Sequence, residues 1–272
     1  MSTSDGDNAF TGSIPDCYEN YLVPLIFEPY ALDLAKRVAA LSPRRVLEIA
    51  AGTGVVTRQL ATQLPQDTTI VATDLNQPML ELAARRGTAR PVEWRQADAM
   101  DLPFADASFD VVLCQFGTMF FPSKAAAFAE ARRVLRPGGV FIFNVWDRLD
   151  KNELAHTVTE ILAATFPTAP PSFLERIPHG YHDARTIAAD LAAGGFERPP
   201  AIASVAALSV ACSPRIAAIA FCHGTPLRNE IGQQGKDSLS AATEAATAGI
   251  AQRFGVHAWS GKMNAHIVSI VR

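Results

Sequence analysis

The stretch Val46-Leu47-Glu48-Ile49-Ala50-Ala51-Gly52-Thr53-Gly54, continued by Val55-Val56-Thr57-Arg58-Gln59-Leu60, decides the fold of this 272-residue chain. A β-branched, apolar run ends in a glycine-rich turn, and the residues after the turn read as the start of a helix. Glycines at such a strand–turn–helix junction let a ligand approach the backbone where a side chain would block it. A second β-like run, Thr69-Ile70-Val71-Ala72-Thr73, ends at Asp74, 20 residues beyond Gly54. A carboxylate at that spacing suits the two hydroxyls of a ribose, so the expected ligand carries a nucleoside.

Two common nucleotide fingerprints do not fit. The dinucleotide pattern wants a third glycine or alanine where this chain has Thr57, and no Lys follows Gly54 as a Walker loop requires. A third signal lies in Val92-Glu93-Trp94-Arg95-Gln96-Ala97-Asp98-Ala99-Met100-Asp101-Leu102-Pro103-Phe104, which puts Asp98 at the end of a third strand. A fourth strand, Phe109-Asp110-Val111-Val112-Leu113-Cys114, follows it. On this ensemble the chain resembles the class I S-adenosylmethionine-dependent methyltransferases, and within them the small-molecule branch that includes the ubiquinone/menaquinone-type enzymes. The resemblance covers residues 10–150 well and the rest loosely.

The resemblance implies S-adenosylmethionine as methyl donor and S-adenosylhomocysteine as product. It implies a cofactor site made by Tyr18, Tyr21, Ala50, Ala51, Gly52, Gly54, Asp74, Leu75, Met79, Asp98, Ala99, Met100, Gln115 and Phe116. In that scheme the glycine turn faces the methionine and ribose portions, and Asp74 holds the ribose. Met79 packs on the adenine, Asp98 accepts from its amino group, and the Ala99 amide donates to a ring nitrogen. Phe116 walls the pocket beside the methyl-bearing sulfur, and Tyr18 and Tyr21 belong to an N-terminal segment that closes over the cofactor. Glu48 is expected to order the turn or a water, with direct ligand contact the lesser reading. The Asn/Asp-Pro-Pro-aromatic run of the DNA- and amide-methylating branches is absent after strand four. Gln115 there is a poor substitute for the carboxylate set of a metal-dependent O-methyltransferase, so no metal is expected.

Helical patterns alternate with these strands: a helix from Pro29 to about Leu41, then Val55–Leu64, Gln77–Arg86 and Lys124–Leu135, with Ser123 as a cap. Gly138-Gly139 leads into a fifth strand, Val140–Val145. Strict alternation of this kind predicts an α/β fold. The expected architecture is a Rossmann-like, doubly wound, seven-stranded and mostly parallel sheet with a helical cover inserted late in the chain. Asn152–Phe166 and a segment opened by Asp183 read as helices, and Ala201–Val210 and Asn264–Val271 as the last two strands, which in the family form an antiparallel hairpin. Residues 1–9 read as a disordered tail and Phe10–Tyr21 as irregular. Residues 10–272 then make one methyltransferase domain, with cover insertions near 150–180 and 211–260 expected to roof a mostly apolar cavity.

Composition narrows the function. The net charge is −3, which gives no electrostatic footprint for nucleic acid. Cys17, Cys114, Cys212 and Cys222 show no C-x-x-C spacing, and no signal peptide or spanning stretch is evident, so a cytoplasmic enzyme is expected. His179, Tyr181, His182, His223 and His257 are acid–base candidates between which the sequence does not choose. The expected activity is methyl transfer to an O, N or C atom of a small, substantially apolar molecule. The alternatives are a nicotinamide-dependent oxidoreductase and a non-catalytic cofactor-binding protein of the same fold. Oligomeric state is left open.

Overall fold

The computed structural model describes residue 7 and residues 9–272. Its first half runs α1 (Ile14–Cys17), a π-helix (Tyr18–Phe27), α2 (Glu28–Ala40), β1 (Arg45–Glu48), α3 (Val55–Gln63), β2 (Thr69–Asp74), α4 (Gln77–Arg86), β3 (Glu93–Gln96), β4 (Phe109–Gln115), α5 (Lys124–Val134) and β5 (Leu135–Trp146). The second half adds α6 (Glu153–Thr165), α7 (Phe173–Arg176), α8 (Ala184–Ala193), β6 (Ala201–Ala211), α9 (Pro214–His223), α10 (Leu227–Gly232), α11 (Ser238–Phe254) and β7 (Trp259–Val271).

The strands form one sheet in the order β3-β2-β1-β4-β5-β7-β6. β1 lies parallel between β2 and β4, with Val46 opposite Ile70 and Val111, and Glu48 opposite Ala72 and Leu113. Both of its faces are covered, which is why Val46, Leu47 and Ile49 are all apolar and fully buried rather than alternating with polar residues. β7 runs against β5: Gly138 and Gly139 bond to Arg272, whereas Asp147 bonds to Asn264. The strand order reverses between β1 and β4, and the open ends of those strands are where such folds place a ligand.

By its internal packing the chain divides into two compact units. The sheet unit holds Pro29–Val145, Tyr181–Val205 and Ala265–Arg272. Its core joins Phe128, Phe141 and Phe143, with ring centroids 4.9–5.6 Å apart. α5 is capped as expected, the Ser123 hydroxyl accepting from the Ala126 amide, and Asp183 caps α8 through the amides of Arg185 and Thr186. α2 begins and ends one residue earlier than expected. Leu34 and Val38 are buried, but Leu41 lies past the helix end and is exposed.

The helical unit holds the residues up to Glu28, together with Trp146–Gly180 and Ala206–Asn264. Both segments expected as cover therefore fall in one unit. α11 packs on α6 so closely that a Cβ on Gly249 would sit 2.4 Å from Ile161. Three sequence expectations are corrected here. Residues 14–27, placed mostly in an irregular segment, are helical. Pro24 lacks the N–H that an α-helical bond needs, and the surrounding turns take the wider π spacing. β7 begins at Trp259 rather than Asn264 because Trp259, Gly261 and Met263 are buried on alternate positions. Within the expected disordered tail, Asp7 is buried and accepts two hydrogen bonds from Arg176, at 2.6 and 2.8 Å. The remaining tail positions, 1–6 and 8, lie outside the described residues.

Candidate functional site

The glycine turn leaves the sheet through a run of left-handed residues. Ala50, Gly52 and Gly54 have φ of 53°, 57° and 80°. Glycine adopts this region freely, whereas Ala50 does so at a cost of order 1–3 kcal/mol. The bonds on either side hold it there: Ile49 N–H donates to Leu113 O at 2.9 Å, and Ala51 N–H to Thr73 O at 2.8 Å. Gly54 then opens α3. A Cβ there would meet the Trp94 ring at 2.9 Å, so close packing as well as conformation selects glycine.

Asp74 closes β2 beside this turn. One carboxylate oxygen accepts from Gly52 N–H at 2.8 Å and the other from Asn76 N–H at 2.8 Å. The side chain is buried, and burial raises its pKa, opposed by the amides of Asn76, Gly52 and Leu75. The carboxylate is thus part of the fold. The oxygen that takes the Asn76 N–H also accepts from the Asn76 side-chain amide at 3.5 Å.

Glu48 is buried at the end of β1 and accepts from the Thr57 hydroxyl at 2.6 Å. Burial pushes its pKa up to about 8, against the Thr57 bond and the charge of Arg58, with Asp74 adding to the rise. Glu48 ties the first turn of α3 to β1, and Thr57 stands at the fingerprint position because it supplies the hydroxyl for that tie.

Asp98 accepts from the Met100 amide at 2.8 Å, folding its own tight turn, and Asp101 N–H donates to the Asp98 carbonyl at 3.1 Å. That turn is anchored to β2 by Ala97 N–H donating to Asp74 O at 3.1 Å. Ala99 is buried and Asp98 and Met100 are half-buried. Leu75 is half-exposed at 50% beside Asp74, whereas Met79 is only 3% exposed and belongs to the buried face of α4. At the end of β4, Gln115 is half-buried, and Phe116 is buried with a φ of 50°, its ring set edge-on to Tyr30 at 5.3 Å. The side-chain oxygens of Gln115, Thr53 and Thr118 are buried with no hydrogen-bond partner.

Twelve of the expected site residues lie in the sheet unit, eleven of them at the ends and following turns of β1, β2, β3 and β4 and Met79 on α4. Tyr18 and Tyr21 lie in the helical unit, where Tyr18 stacks on Phe27 at 5.1 Å and Tyr21 is half-buried. His179, also there, has its Nδ1 2.8 Å from the Asp147 carbonyl; a carbonyl only accepts, so Nδ1 carries the proton. Sequence reasoning missed Asn144. It lies in β5 opposite Gln115, and its side-chain oxygen accepts from Phe116 N–H at 2.8 Å. No spacing signal marks an asparagine inside an apolar strand as anything but an oddity. Among the described residues no group of three or more His, Cys, Asp or Glu side chains is placed to hold a metal ion. Among the same residues no helix is long and apolar enough to cross a membrane.

A switch-point sheet with a left-handed glycine turn and a carboxylate at the end of the second strand is an arrangement that suits a nucleoside-bearing ligand. Residues 47–143 match the family model described as a methyltransferase domain, not one for a nicotinamide-dependent oxidoreductase. The demethylmenaquinone methyltransferase of Deinococcus radiodurans is 42% identical over 107 residues, 39% of this chain and 44% of that protein. The ubiquinone/menaquinone biosynthesis C-methyltransferase UbiE of Ectopseudomonas mendocina is 37% identical over 134 residues, 48% of this chain and 49% of that protein. The chain thus spans about half the length of the curated relatives it matches. A Haemonchus contortus phosphoethanolamine N-methyltransferase, solved with phosphomonomethylethanolamine and S-adenosylhomocysteine, shares the fold. Its TM-score is 0.60 at 18% identity, over 98% of this chain and 59% of that one.

Proposed function

We propose that this protein is an S-adenosylmethionine-dependent methyltransferase that moves a methyl group to an O, N or C atom of a small, substantially apolar molecule. The observation that carries the reading is Asp74. A buried carboxylate at the end of the second strand, held in place by the turn amides it accepts from, is the right group for the two hydroxyls of a ribose. The adenine would lie along Leu75, Asp98, Ala99 and Met100, where an exposed leucine and a turn carboxylate meet its face and its amino edge. Met79 would support that wall from the core side.

The residues present suit the methionine end as well. Gln115 offers a buried acceptor with no partner in the protein, the right kind of atom for an ammonium group, and the Ala50–Gly54 turn offers backbone close by. Bound there, S-adenosylmethionine supplies a methyl group already activated by the sulfonium. The chain's own part is alignment and exclusion of water, with Phe116 as an apolar wall.

Acceptor choice would rest with the helical unit, where both late segments and Tyr18 and Tyr21 fall. The relatives' named substrates make a demethylmenaquinone-type or ubiquinone-type ring the first acceptor to assay. Calorimetry with S-adenosylhomocysteine and NAD tests the cofactor. Binding of the former and none comparable of the latter is expected, and tighter NAD binding would overturn the reading. Transfer of labelled methyl from S-adenosylmethionine to a quinol panel tests the chemistry. Tight cofactor binding with no transfer to any acceptor would favour a non-catalytic role.

A further inference from the structure

We propose that Asn144 is a positioning residue of the methyl-donor end of this site, holding the exit of β4 in the turn that aims Phe116 and Gln115. The inference rests on the methyltransferase reading above and adds to it a residue on β5, outside the expected cofactor set.

Phe116 is a bulky, non-glycine residue in the left-handed region, with φ of 50°. Such a conformation persists only where the surroundings over-determine it. Two groups take the Phe116 N–H: the Asn144 backbone carbonyl at 3.2 Å and the Asn144 side-chain oxygen at 2.8 Å. The shorter of the two comes from the side chain. Strand pairing alone would supply only the longer.

What the turn accomplishes is visible one residue on. A Cβ on Gly117 would lie 2.5 Å from the Ala50 Cβ and 2.7 Å from the Cys114 sulfur. The chain leaving β4 therefore presses directly on the glycine turn at its own strained residue, Ala50. The left-handed step at Phe116 makes that approach, and it also sets the ring edge-on to Tyr30. Asn144 thus couples the ends of β1, β4 and β5.

A second observation separates this asparagine from a satisfied core amide. Asn144 is completely buried, and its Nδ2 has no hydrogen-bond partner. Gln115, opposite it in the ladder, has an equally buried and unpartnered Oε1. Leaving such groups unpaired is costly, and a core serving only stability would hold an apolar residue here. The oxygen that holds Phe116 is the part of the side chain in use.

Two substitutions in the full chain test the proposal. Asn144→Leu keeps the branched shape of the side chain, with two methyl groups in place of the amide oxygen and nitrogen, and removes the acceptor. Asn144→Asp keeps an oxygen for the Phe116 amide. Dissociation constants for S-adenosylhomocysteine are measured by calorimetry, alongside thermal unfolding. Asn144→Leu is expected to weaken binding about tenfold, the scale of one lost buried hydrogen bond, in a protein that still unfolds cooperatively. Asn144→Asp is expected to bind within about threefold of the parent, a rescue that loss of packing would not give. Parent-like binding by Asn144→Leu overturns the proposal, and so does Asn144→Asp binding as weakly as Asn144→Leu. Should Asn144→Leu fail to fold, the Asn144→Asp result decides alone. Failure of the parent itself to bind S-adenosylhomocysteine would instead count against the methyltransferase reading.

Discussion

Asp74 and Glu48 are two buried carboxylates with different work. Asp74 holds two backbone amides and faces the ribose in the proposed complex. Asp74→Ala should therefore cost cofactor affinity about tenfold or more and also destabilise the free protein by about 1–3 kcal/mol, because Gly52 N–H and Asn76 N–H lose their partner. Calorimetry with S-adenosylhomocysteine and thermal unfolding read the two effects separately, and an unchanged dissociation constant would refute the ribose role. Glu48 is raised from 4.5 to about 8, so between those values the folded protein holds a proton that the unfolded chain has released. Stability from this group is complete below pH 4.5 and is lost as pH rises toward 8. Glu48→Gln removes that titration. Relative to the variant, the parent should lose on the order of a few kcal/mol across the window. Asp74 shifts in the same sense but is present in both proteins. Parallel stability curves from pH 4 to 9 would show that Glu48 is not buried as described.

At the scale of elements, the contact that matters is between the exit of β4 and the turn after β1. Gly117→Ala should destabilise by about 1–3 kcal/mol, since the new methyl group meets Ala50 and Cys114 inside 3 Å and neither neighbour is a flexible chain end. Cofactor affinity should fall in the same variant, because the Ala50–Gly54 turn must move to make room. A normal melting temperature would mean that the two segments are not in contact in solution. The strands and most helices were legible from period and punctuation. The glycine turn, the Asp74 and Asp98 strand ends and the caps Ser123 and Asp183 stand where local chemistry put them. The π-helix at Tyr18–Phe27 was not legible, because Pro24 and its polar residues read locally as breaks and only packing within its unit makes it helical.

For the whole molecule, β4 ends in Gln115 where a metal-dependent O-methyltransferase would need a carboxylate, and the prediction drawn from that residue is that turnover survives a chelator. Methyl transfer with and without EDTA checks this, and loss of activity restored by magnesium would reverse it. The division into two units makes a further point. Sequence likeness to the named methyltransferases covers less than half of the chain, and the matched family model spans residues 47–143, all within the sheet unit. That unit holds all of the proposed cofactor residues except Tyr18 and Tyr21, whereas the late helical segments lie outside the match. Relatives are therefore a better guide to the donor than to the acceptor.

By itself the sequence determined the strand–turn–helix grammar, the nucleoside-type site at its strand ends and the family resemblance, because these depend on residue types at short, regular spacings. Tertiary structure alone decided which buried polar groups hold that site in shape. Thr57 meets Glu48, Asn144 meets Phe116, and Asp74 meets the Gly52 and Asn76 amides. Each of these pairs joins different elements, across 9 to 28 residues, apart from the bond of Asp74 to Asn76. Only the approach of whole strands and helices brings such partners within hydrogen-bonding range, and no local pattern in the chain records it.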